Sequence, residues 1–207
     1  MHKRNLHPVT DQSGIAIGAI LFIVALLAIL AIAIAAGSST FATNSSQETN
    51  RTNAAEMIQI GQNLKVGVDR IVALGTSLAN VDINDANTSG NIALFSPNAG
   101  GLVPPSTTLS ATPGTDTWIY TWGAVTNMGT TALERIAALR VSSGVCDQIN
   151  TQAAGVATPG GADLGAIANA TNFSAWPAGL AGHMVGCVNN TNATSTGTYF
   201  YQVLGVQ

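Results

Sequence analysis

Charge is scarce in this sequence. Seven Lys and Arg, ten Asp and Glu and three His are spread over 207 residues, so that 8% of the chain is charged. Cysteine occurs twice and aromatic residues make up 5%. Each shortage excludes something. No cluster of basic residues exists on which the phosphates of a nucleic acid would gather, so no nucleic-acid partner is expected. Beyond position 7 the only histidine is His183, and the chain has no GxSxG, HExxH or phosphate-binding glycine loop. A nucleophile, a base and an orienting group are therefore not on offer together, and the chain reads as neither an enzyme nor the holder of a cofactor. Cys146, Cys187 and His183 are too few for a structural metal site.

The charge that is missing is missing most completely between residues 12 and 39. From Ile15 to Ala36 run 22 residues made only of Ile, Leu, Val, Phe, Ala and one Gly. As a helix they would be about 33 Å long, against a bilayer core of roughly 30 Å. Thirteen of them are Ile, Leu, Val or Phe, each favouring insertion by about 0.3–0.6 kcal/mol, for a sum on the order of 4–8 kcal/mol. The run exceeds the 7–15 apolar residues of a secretory signal peptide, although its Ala-rich end offers small residues where one is cut. Lys3 and Arg4 precede the run and the next basic residue is Arg51, so the positive-inside rule puts the N-terminus in the cytoplasm and everything after Gly37 outside.

Residues 38–207 hold five basic and nine acidic side chains, a net charge of −4 (5 − 9). They are enough for one domain with its own core. Placed outside, Cys146 and Cys187 are in a compartment where a disulfide persists, and they are expected to be bonded; the alternative is two buried thiols. The stretch "GSSTFATNSSQETNRTN" after the apolar run suits a hinge or a weak continuation of the helix. From Glu48 on, Ala54, Met57, Ile58, Gly61, Leu64, Val68, Ile71, Val72 and Gly75 recur at three- and four-residue steps, the stripe of an amphipathic helix that ends near Gly75. Asn, Gly and Pro between residues 80 and 115 predict short strands and turns. "DTWIYTW" alternates as a strand does, whereas Leu133, Ile136, Ala137 and Leu139 have helical spacing before Gly144, with a second helical patch from Cys146 to Ile149. "GTYFYQVLGVQ" reads as a final strand. The expected class is α+β: a long N-terminal transmembrane helix, an amphipathic helix, then a small antiparallel sheet domain with a short helix and one disulfide.

A basic leader, a Gly, an apolar helix, an amphipathic continuation and a β-rich domain closed by two cysteines together resemble a type IV pilin or pseudopilin. "ALFSPNAGGLVPP", "SSGVCDQIN" and "CVNNTNATSTGTYFYQVLGVQ", within residues 90–207, are similar to blocks in a group of uncharacterised bacterial pilin-like membrane proteins. The resemblance implies a leader, residues 1–14, cut between Gly14 and Ile15 by a prepilin peptidase. It implies a transmembrane helix over 15–37, a polar hinge and amphipathic helix over 38–75, and a β-rich exported domain over 76–207. The chain would be a structural subunit or minor component of a type IV pilus or pseudopilus-like secretion assembly. It would sit in a bacterial inner membrane with its C-terminal domain in the periplasm, or enter an extracellular filament beside other pilin-like subunits or copies of itself. Pilins usually carry a Glu at the fifth mature position, which neutralises a neighbour's N-terminal amine; this chain has Ala19 there. The competing function is a membrane-tethered envelope binding or adhesin domain.

Gly14 and Gly18 form a GxxxG, and Gly18, Ala25, Ala28 and Ala35 extend a small-residue stripe, which suits either close helix packing or simple padding of a solitary anchor. His183 reads as a loop or packing residue. Asp82 and Asp85 offer oxygen ligands to calcium but depart from the EF-hand pattern, so an Asp/Asn-rich turn is the plainer reading. Trp118, Tyr120 and Trp122 would share one strand face, as core or as a sugar-binding platform. Asn44, Asn50, Asn87, Asn169, Asn172, Asn189 and Asn192 begin Asn-x-Ser/Thr acceptor sequons.

Overall fold

The computed structural model describes residues 13–83, 92–96, 100–123, 125, 127–128, 134–155, 161–162, 180–191 and 196–206. Within the first helix, side chains are described for 20–32, 34 and from 45 onward. Leader residues 1–12, Leu133, Asp85 and the sequon residues Asn87, Asn169, Asn172 and Asn192 lie outside the described residues, as do the side chains at Gly14, Ile15, Gly18, Ala35 and Asn44. The chain divides into two units, 1–46 and 47–207. Helix α1, Ser13–Ala73, gives the first unit its helix and the second its opening element, so the polar stretch after Gly37 is helical.

Among the described residues no helix is long and apolar enough to cross a membrane. The side chains described in the apolar run are 20–32 and 34, fewer than the roughly 20 that a span takes. The case for a span therefore rests on the sequence of 15–36.

In the second unit α1 buries Ala54, Met57, Gly61, Leu64, Val68 and Ile71, the 3-4-3-4-3 spacing that keeps one face of a 3.6-residue helix inward. Val72, in the same sequence stripe, is exposed. The helix ends as expected: Thr76 N–H donates back to Ile71 O, and Gly75 turns the chain with φ +94°, a conformation that glycine adopts without strain.

A 3-10 turn, Leu78–Asn80, leads to β1 (Val81–Asp82), which pairs in parallel with β2 (Ile92–Ala93). The main sheet follows. Its strands are β3 (Ile119–Gly123), β4 (Glu134–Val141), β5 (Gly161–Ala162), β6 (Val185–Asn190) and β7 (Gly197–Gly205), and helix α2 (Ser143–Ala154) follows β4. The order across the sheet is β3-β4-β7-β6-β5. The first three pairings are antiparallel; β5 runs parallel to β6, so the antiparallel expectation holds for four of the five strands.

Leu139, Val141 and Phe200 share a cluster with Ala54 and Met57 of α1 and with Val145, Cys146 and Ile149 of α2. Ala137 and Leu204 pack with Leu64, Val68 and Ile71. On the other face Ile136, Val188, Tyr199, Tyr201 and Val203 form a cluster with Val125 and Leu180. The sheet is thus covered on both sides, and this corrects the helix expected over 133–139. Ile136, Ala137, Ala138 and Leu139 are all buried in central strand β4. A strand covered on both faces loses its polar alternation, and its apolar run then mimics helical spacing. Among the described residues the short α-helix is α2, capped by Ser142, whose Oγ accepts from Val145 N–H, and closed by Gly155 at φ +69°.

At Gly61 α1 comes close to the sheet. A Cβ there would lie 2.7 Å from Phe200 Cζ and 3.0 Å from Gln202 Oε1, and Phe200 and Gln202 are both buried. Gly61→Ala gains about 1 kcal/mol of helix propensity but overpacks a filled core, which costs about 1–3 kcal/mol. A net loss of up to about 2 kcal/mol in chemical denaturation is expected. A more stable variant would mean that the sheet yields at this point.

Candidate functional site

The surface of the first unit is the least usual feature of the molecule. Ile20, Leu21, Phe22, Ile23 and Val24 are consecutive, so at 100° per residue they point to every side of the helix, and each is 56–66% exposed. With Leu26, Leu27, Ile29, Leu30, Ile32 and Ile34 they make eleven large apolar side chains in contact with solvent. Covering a side chain of this kind gains about 1.5–3 kcal/mol. A helix apolar on all sides belongs inside something, whether lipid or other helices. Ala25 and Ala28 of the small-residue stripe lie on this exposed surface. Gly14 and Ile15, the expected cleavage pair, fall in the first turn of α1, which begins at Ser13.

The second unit holds the disulfide that the sequence suggested. Cys146 of α2 is bonded to Cys187 of β6, with Cα atoms 5.3 Å apart, and both residues are fully buried. One turn after Cys146, the buried Asn150 donates from Nδ2 to Cys187 O and accepts from Cys187 N–H at Oδ1, each at 2.7 Å. The carboxamide thereby does for Cys187 what a neighbouring strand would do, next to the point where the two-residue β5 pairs with Asn189 and Asn190. Sequence reasoning missed Asn150. The one available signal was a polar residue four positions after Cys146 and adjacent to the apolar Ile149.

Trp118, Tyr120 and Trp122 do lie on one face. Trp118 and Tyr120 are 6.4 Å apart and within 14° of parallel, Trp118 meets Phe200 edge-on, and all three pack against the cluster around Leu64 and Val68. They are half-buried because β3 is an edge strand. The Arg135 guanidinium stands 4.8 Å over the Trp122 ring. Burial lowers its pKa, and the nearby Asp82 carboxylate works in the opposite direction. Burial pushes the Tyr120 phenol well above its ordinary range, so it stays protonated.

Asp82 lies buried in β1, and among the described residues no three His, Cys, Asp or Glu come together as a metal site. His183 is half-buried in the turn ahead of β6, where its N–H donates to Leu180 O and its carbonyl accepts from the Tyr201 hydroxyl. Asn189, on β6, is the exposed member of the sequon set within the sheet. No family model matches this chain, and neither does any curated protein or solved structure.

Proposed function

We propose that the chain is a structural subunit or minor component of a type IV pilus or pseudopilus-like assembly, held in a bacterial inner membrane by residues 15–37 with residues 38–207 exported. The observation that carries this reading is the apolar, exposed surface from Ile20 to Ile34. A helix bare on every side is suited to lipid before assembly and to other pilin-like helices, or copies of itself, after it. The basic leader with Gly14 before Ile15 supports processing by a prepilin peptidase. A domain in which α1 lies on a mostly antiparallel sheet, with a disulfide in its C-terminal half, is compatible with such a subunit.

Ala19 sets the role within the assembly. An acidic residue at the centre of a span costs about 2.5–3.5 kcal/mol to insert, and less near its end. Ala19 avoids that cost but offers a neighbour's N-terminal amine no carboxylate. Accessory incorporation is therefore expected, and not a homopolymer.

The test is the mass of the membrane-extracted protein, which should begin at Ile15. A mature chain beginning at Met1 would remove the processing step and leave a membrane-tethered binding domain. One beginning beyond Gly37 would reduce the apolar run to a signal peptide.

A further inference from the structure

Edge strand β3 carries its aromatic face to the border of the sheet. There a cleft of about 330 Å³ is lined by Trp118 and Tyr120 together with Phe95, Pro104 and Pro105. Its size suits one or two small rings. Three features of the lining narrow the choice of occupant. No charged side chain lines it, although residues 38–207 carry a net charge of −4. The Trp118 and Tyr120 rings are nearly parallel, and Phe95 is tilted against Tyr120 at 5.9 Å. The polar groups at the cleft are the hydroxyls of Tyr120, Thr107 and Thr117, and none of the three makes a hydrogen bond among the described residues. The Trp118 indole N–H, in contrast, already donates to Ser106 O.

We infer that this cleft is a binding site for a neutral sugar ring. Ring faces take the C–H side of a pyranose, and unspent hydroxyls, each both donor and acceptor, match a ligand whose own groups are hydroxyls. A proline-rich segment offers carbonyl acceptors alone and would leave the acceptor side of the three hydroxyls unused. A lipid chain would leave all of them unused. An acidic sugar would find no cation in the lining. The inference draws on the second unit alone and stands whether or not the chain enters a filament.

The experiment is to present the full chain, in detergent, to an array of neutral hexose and N-acetylhexosamine oligosaccharides, with sialylated and sulfated glycans and decaproline as controls. Retention of at least one neutral oligosaccharide is expected, with quenching of tryptophan emission. Tyr120→Phe and Thr117→Val each remove one hydroxyl from a half-buried or exposed position. Each should weaken that binding about 3- to 10-fold, the range set by one neutral hydrogen bond, with the melting temperature unchanged. Retention of no neutral glycan, retention of acidic glycans or decaproline alone, or binding indifferent to both substitutions would each overturn the inference.

Discussion

Asn150→Leu is expected to destabilise the second unit by roughly 2–6 kcal/mol, a large fraction of a domain's stability. The side chain is fully buried, and it satisfies both backbone groups of Cys187 at 2.7 Å. Leu keeps the branched skeleton but exchanges the amide atoms for bulkier methyls, so some overpacking adds to the loss, and the Cys187 N–H and C=O are left buried with no partner. Each orphaned group costs about 1–3 kcal/mol. Asn150→Asp separates the two bonds: the carboxylate still accepts from the N–H but turns an acceptor towards the Cys187 carbonyl. Its loss should equal or exceed that of Leu at neutral pH. Urea titrations of the two variants and wild type provide the check, and a loss under 1 kcal/mol for Asn150→Leu would show that α2 moves away and lets water reach β6.

Asn150 also shows where the sequence stops being readable. The stripe from Ala54 to Ile71 was visible because a helix with one buried face writes a 3.6-residue period into the chain, and the fold keeps that period. The Cys146–Cys187 bond was visible because only two cysteines exist. β4 was misread, since Ile136 to Leu139 lie between two covered faces and nothing polar alternates among them. Asn150 was silent for a different reason. A polar residue bonded to a backbone 37 positions away leaves no local pattern, and its role exists only once α2 has docked on β6. The same holds for the cleft beside β3: the aromatic alternation at 118, 120 and 122 was legible, but the wall of Phe95, Pro104 and Pro105 comes from a turn-rich segment with no period of its own. The apolar surface of α1 was the most legible feature of all, because uniform hydrophobicity needs no partner to be recognised.

Removing the disulfide by Cys146→Ala together with Cys187→Ala is expected to cost about 4 kcal/mol. The bond closes a loop over a sequence separation of 41 residues, and in the loop-entropy description a loop of that size constrains the unfolded chain by about 4 kcal/mol. Small cavities left by two fully buried sulfurs add to the loss. The disulfide and the Asn150 pair hold the same residue of β6 to the same face of α2, one turn apart, so their losses will not add. With the sulfur link gone, Asn150 still docks α2 against Cys187. With Asn150→Leu introduced as well, α2 is free to separate and water can reach the Cys187 backbone, which caps the penalty for those groups. The triple variant should therefore lose less than the sum of the two separate losses. A strictly additive cycle, measured by urea unfolding at pH 7, would mean that α2 stays docked through Val145 and Ile149 alone.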